Sequence, residues 1–154
     1  MNDRIWIYTL SRELSAAEIT DFKTRCQQFV SGWTAHDISL DASFDLYQNR
    51  LLIFKVNEEK YNASGCSIDK QLRFVKELEQ AFSVELLNRM LVAIDDNGTV
   101  SVLKQSELKE LLASGKINEH THVYDNTITD AAALNNGWKK ALKDTWLSKY
   151  LVTQ

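Results

Sequence analysis

The residues best suited to chemistry surround Cys66, within Ser64-Gly65-Cys66-Ser67-Ile68-Asp69. A polar loop precedes this segment and an apolar helical periodicity follows it, with Ser67 as the expected N-cap. The free N–H groups and dipole of a helix N-terminus stabilise a thiolate, so Cys66 is a candidate nucleophile. Ser64, Gly65 and Ser67 are the candidate binding residues, because glycine permits close approach of a ligand. The alternative is that these residues only cap the helix and the cysteine packs as a small apolar side chain.

A second candidate segment is Trp33-Thr34-Ala35-His36. We interpret His36 as a candidate base for Cys66, with Asp69 or Asp37 orienting the imidazole and Trp33 serving as a binding residue. A Cys–His pair is recognised by closeness in space, which a sequence does not show. The alternative for His36 is a solvated loop histidine.

Metal and nucleotide motifs are incomplete in this chain. His120 and His122 form an H-x-H pair, but two ligands alone do not make a metal site. The sequence also lacks the G-x-x-x-x-G-K-[ST] phosphate loop, G-x-G-x-x-G, H-E-x-x-H and C-x-x-C. We therefore predict neither a cofactor nor a bound metal.

Charge and hydropathy limit the expected partners. Eighteen basic and 21 acidic residues among 154 give a net charge of −3, so no overall attraction to nucleic acid or anionic membranes is expected. No stretch approaches the roughly 20 apolar residues of a membrane span. Two cysteines and the lack of a signal-peptide pattern predict a cytoplasmic location. The expected partner is a second copy of the chain or another protein, without nucleic acid or stable membrane insertion.

Three longer helices are predicted from capping signals and apolar periodicity. Ser15-Ala16-Ala17-Glu18 is a capping box ahead of the first helix, whose apolar face includes Cys26 as a core residue. The second helix follows Cys66, and the last is expected over residues 138–151. The predicted apolar face of the second helix consists of Ile68, Leu72, Val75, Leu78 and Phe82.

The strand pattern predicts an α+β fold. Strands are expected at residues 4–10, 43–48, 51–57, 90–94 and 99–103, the last two joined by the Asn-Gly turn at 97–98. The order up to residue 94 is β-α-β-β-α-β, which is the ferredoxin-like order of two helices on one face of a four-stranded antiparallel sheet. We predict this core over residues 1–95. Residues 96–154 form a C-terminal β/helical extension packed on the core, with a short helix at 106–113 and a strand at 120–124.

Residues 29–36 (FVSGWTAH), 49–53 (NRLLI) and 63–70 (ASGCSIDK) together resemble a family of small bacterial proteins of about this length. Members often carry the label "ABC transporter ATPase". The resemblance implies that W-T-A-H and S-G-C-S-I-D are the marked segments of the family, which favours a shared site at Trp33, His36, Cys66 and Asp69. Residues 107–142 are more faintly similar to the tail of GYF-like interaction domains, although the aromatic G-Y-F signature is absent.

These observations favour a non-enzymatic binding or protein-interaction module. The alternative is a thiol-dependent enzyme or sensor that uses Cys66 with His36. An ATPase is the least favoured function, because the loop that would cradle phosphates is missing.

Overall fold

A computed structural model describes residues 3–151 as two larger antiparallel β-sheets and one two-stranded hairpin, with helices packed against the larger sheets. The helices are α1 (Ala16–Gly32), α2 (Gly65–Phe82) and α3 (Leu108–Ala113). The strands are β1 (Asp3–Thr9), β2 (Thr34–Ala35), β3 (Ile38–Ser39), β4 (Asp41–Tyr47), β5 (Leu51–Asn57), β6 (Leu91–Asp96), β7 (Thr99–Lys104), β8 (His122–Tyr124) and β9 (Lys139–Ala141). The chain is thus an α+β protein, as predicted.

The first helix begins where the sequence predicts. The Ser15 hydroxyl accepts a hydrogen bond from the Glu18 N–H at 3.2 Å, and the Glu18 carboxylate accepts one from the Ser15 N–H at 2.9 Å. Arg12 donates to both Glu18 carboxylate oxygens, at 3.1 and 2.7 Å, and also to the Phe82 carbonyl. This arginine therefore connects the start of α1 to the end of α2.

The first sheet has the order β1-β5-β4, and both of its faces are covered. On one face, residues of α1 and α2 form a core with Leu52, Phe54 and Val56 of β5. Leu51 and Ile53 alternate with these residues and face the other way, toward the second sheet. Because every second residue of a strand points to the same face, β5 is apolar on both sides.

The second sheet has the order β7-β6-β8-β9. One face packs against the first sheet through Ala93, Val100 and Trp138. The opposite face contributes Val92 and Ile94 to a separate core, which α3 and the following 3₁₀ turns cover. The architecture is therefore four layers: α1 with α2, the first sheet, the second sheet, and α3 with the 3₁₀ turns.

The fourth strand of the predicted ferredoxin-like sheet lies elsewhere. Three strands have the expected order, but β6 pairs with β7 and β8 rather than with β1. The Asn97-Gly98 turn, with φ angles of 53° and 91°, joins β6 directly to β7, and β6 is buried on both faces between two cores. Beside β1 there is instead a single bridge between Arg4 and Asp130. The ferredoxin-like prediction was therefore wrong for this strand. Strand β6 belongs instead to the second sheet, together with strands of the predicted C-terminal extension.

The predicted helix over residues 138–151 is also wrong. The segment forms strand β9, followed by 3₁₀ turns at Leu142–Asp144 and Trp146–Tyr150. Pairing of β9 with β8 favours extended backbone, and Thr145 is extended again between the two turns. Trp146 consequently points outward, with 53% of its surface exposed. No helix within residues 3–151 combines the length and the apolar character that crossing a membrane requires.

Candidate functional site

The N-terminus of α2 is capped by Ser64, so the predicted N-cap Ser67 is wrong by three residues. The Ser64 hydroxyl accepts from the Ser67 N–H at 3.2 Å, and the Ser67 hydroxyl accepts from the Ser64 N–H at 2.6 Å. This reciprocal pair is a capping box in which a serine replaces the usual Glu or Gln. Cys66 is therefore the second helical residue, with an exposed side chain. Gly65 has open space where a Cβ would lie and no left-handed φ.

Trp33 is a core residue at the end of α1. Its indole N–H donates to the Ser67 carbonyl at 2.8 Å, and only 1% of its surface is exposed. Its ring lies 5.1 Å from that of Phe29 and 6.1 Å from that of Phe54. The structure thus brings Trp33 and Ser67 together, but in a buried contact between α1 and α2.

His36 lies at the exposed tip of the β2–β3 hairpin. His36 and Asp37 have φ angles of 52° and 64°, as in a two-residue type I′ turn. In the described part of the chain, no hydrogen bond or ion pair joins His36 to Cys66 or Asp69. The structure therefore contains the candidate residues without a hydrogen-bonded Cys–His–Asp arrangement.

The remaining histidine motif is not assembled as a metal site either. His120 precedes β8 and lies 3.2 Å from the Glu119 carboxylate, whereas His122 begins the strand. Across residues 3–151, no three His, Cys, Asp or Glu side chains gather as metal ligands would.

A partly buried polar pair between β1 and α2 was not predicted. The Tyr8 hydroxyl donates to the Gln71 side-chain oxygen, and burial raises the pKa of Tyr8 to about 12. Gln71 is fully buried, and its amide nitrogen has no partner among residues 3–151. A polar residue on α2 gives no sequence signal for burial, because its partner comes from a strand 63 residues away.

A groove of about 670 Å³ lies beside the outer edge of β1 and is here called the β1 groove. It lies between β1, the loop after α2, and the second sheet with the segment that follows β8. Apolar side chains line it, including Ile7, Leu72, Leu87 and Trp146. Its volume is in the range of ordinary ligand sites.

Two exposed apolar side chains line the β1 groove. Leu72 is 36% exposed and Trp146 is 53% exposed, and both line it. Met90, 57% exposed, lies between the lining residues Arg89 and Leu91. Clustered exposed apolar residues mark interaction surfaces more often than isolated ones do. The sequence did not predict this site, because its walls come from segments that are far apart along the chain, from β1 to Trp146.

Charged groups complete the groove. Lys140 lies 3.1 Å from the Asp125 carboxylate. Burial alone would raise the pKa of Asp125, but hydrogen bonds from Thr127 and Lys140 lower it overall. Arg4, Arg89 and Asp144 also line the groove. The β1 groove therefore combines an apolar floor with a slight excess of positive charge.

Comparison of the chain with protein-family models, with curated protein sequences and with solved structures finds no match.

Proposed function

We propose that this chain is a non-enzymatic binding module whose ligand surface is the β1 groove. The observation that carries the proposal is the groove itself, about 670 Å³ in volume and bordered by Leu72 and Trp146 as exposed apolar residues. An apolar site with a few polar groups is suited to recognition. A ligand that removes the apolar surface of Leu72 and Trp146 from water gains free energy in proportion to the area that it covers.

The candidate thiol site supports catalysis less well. Cys66 is exposed, but the described residues place no hydrogen-bonded base beside it. The thiol-dependent alternative requires His36 to activate Cys66, so alkylation of Cys66 should slow markedly in His36→Ala. The binding-module proposal predicts equal alkylation rates in the wild-type chain and in this variant.

Ligand binding at the β1 groove is tested by amide NMR with a library of small aromatic amides and carboxylates. We expect saturable shift changes that cluster on residues of the β1 groove. Trp146→Ala should weaken binding at least about threefold, because a large apolar contact is lost. Tyr61→Ala is the matched control, since Tyr61 is 48% exposed but does not line the groove. Shifts confined to the surface around Cys66, or none at millimolar concentrations, would contradict the proposal.

A further inference from the structure

The outer edge of β1 has unused backbone hydrogen-bonding groups. The Leu10 N–H donates to the Arg50 carbonyl at 2.9 Å, and the β1–β5 register continues this pairing at Tyr8 and Trp6. Antiparallel strands alternate between hydrogen-bonded and non-hydrogen-bonded pairs. The backbone N–H and C=O groups of Ile7 therefore point away from β5, toward the β1 groove.

The start of this edge is covered, and near its end the Asn126 side chain donates to the Thr9 hydroxyl at 3.0 Å. The Ile5 N–H donates to the Thr129 carbonyl at 2.9 Å, next to the Arg4–Asp130 bridge. Among residues 3–151, no corresponding bond to the backbone of Ile7 occurs on the outer side. An open strand edge is a ready template for another strand, and proteins usually cover it or protect it with charge. Between these contacts, the unpaired backbone of Ile7 faces the apolar β1 groove.

The charged side chains at the β1 groove indicate which charge a complementary ligand carries. Lys140 and Asp125 neutralise each other at 3.1 Å, which leaves Arg4, Arg89 and Asp144. Arg89 is exposed, and no ion pair engages it within the described residues. The groove therefore carries an excess positive charge although the chain as a whole carries −3. A complementary ligand carries carboxylates.

We propose that the β1 groove binds an extended, acidic peptide segment of a partner protein, which adds as a strand to β1 through the backbone of Ile7. This inference rests on the proposed binding function and adds the class of ligand. Backbone hydrogen bonds supply affinity in this mode, while alternate side chains of the peptide select the pockets. One set of side chains contacts Leu72, Leu87 and Trp146, and a carboxylate pairs with Arg89.

The experiment uses a phage-displayed library of random dodecapeptides, selected on the full chain and on two variants. Arg89→Glu reverses the groove charge. Arg73→Glu is the matched control, because Arg73 is exposed on α2, does not line the groove, and gives the same net charge. Enriched peptides are synthesised unmodified and with methyl groups on the backbone nitrogens of alternate residues. Their binding is measured by calorimetry and amide NMR.

We expect enriched peptides to be acidic and to bind the wild-type chain and Arg73→Glu equally. Arg89→Glu should bind them at least about fivefold more weakly, because an attractive charge contact becomes repulsive. N-methylation of the residues that pair with β1 should abolish binding, and the amide exchange of Ile7 should slow by roughly tenfold or more. Equal binding by Arg89→Glu, or an unchanged Ile7 amide, would overturn the inference.

The remaining outcomes separate the inference from the proposed function. If aromatic fragments fill the β1 groove but no peptide is enriched, the site binds small molecules and strand addition is wrong. If sedimentation shows a dimer and the Ile7 amide is protected without peptide, a second copy of the chain occupies the edge and the peptide proposal is wrong. If neither fragments nor peptides bind, both proposals fail.

Discussion

Replacing Trp33 by phenylalanine should destabilise the chain by about 2–3 kcal/mol, because Trp33 is a buried link between α1 and α2. Its indole is 1% exposed and donates to the Ser67 carbonyl at 2.8 Å. Loss of that hydrogen bond costs about 1 kcal/mol. Removal of two ring carbons from a packed site costs about 1.5 kcal/mol, at roughly 0.8 kcal/mol for each buried carbon. For a chain of this length, Tm should fall by roughly 5–10 °C.

The assay is urea unfolding followed by far-ultraviolet circular dichroism, which does not depend on the fluorescence of the replaced residue. Trp146→Phe is the matched control: the same substitution at a side chain that is 53% exposed should change stability by less than about 0.5 kcal/mol. Equal stability of the two variants would refute the reasoning. Trp33 would then be free for the binding role that the sequence predicted.

Three further predictions concern single residues. The hydrogen bond that Arg12 donates to Glu18 is the main cause of the lowered pKa of this carboxyl group, which falls from 4.5 to about 2. A lowered folded-state pKa stabilises the chain above about pH 4.5, so the Tm deficit of Glu18→Gln should be full at pH 7 and vanish as pH falls toward 2; a deficit that is constant with pH would contradict this. Burial raises the pKa of Cys26 to about 12, so a thiol reagent at pH 8 should modify only Cys66 before unfolding. Rapid modification of both cysteines would show that the core beside α1 is accessible to the reagent. Gly98→Ala should cost about 1 kcal/mol or more, since φ is +91°, whereas Gly65→Ala should cost nothing. Thermal unfolding measures the stability of both variants, and an equal Tm for the two would rule out a left-handed backbone at Gly98.

Local signals predicted the elements that depend on neighbouring residues. The capping box at Ser15 and Glu18 marks the start of α1, and Asn97-Gly98 marks the β6–β7 hairpin, because each acts through backbone groups within three residues. Both are confirmed. The pairing of β6 with β8 depends on a strand nearly 30 residues away, so periodicity alone could not distinguish it from pairing with β1.

The burial of single side chains in α2 also depends on distant segments that the sequence pattern does not show. Its C-terminal half is buried through the predicted apolar residues at 75–82, but its N-terminal half buries Ser67 and Gln71 instead of the predicted Ile68 and Leu72. Ser67 is buried where the Trp33 indole donates to its backbone carbonyl, and the Gln71 side chain accepts a hydrogen bond from Tyr8. A helical pattern ranks residues by hydropathy and cannot show such partners. Leu72 is left to line the β1 groove, the site that the sequence did not predict.

The central structural claim is that the middle of β1 faces the groove with its backbone unpaired, and amide hydrogen exchange of the free chain tests it most directly. Adjacent residues of one strand provide the internal control, because Trp6 and Tyr8 pair with β5 and Ile5 pairs with Thr129. We predict slow exchange at Ile5, Trp6 and Tyr8 and exchange at Ile7 that is faster by roughly a hundredfold or more. An Ile7 amide as protected as its neighbours in a monomeric chain would contradict the open edge and every proposal built on it.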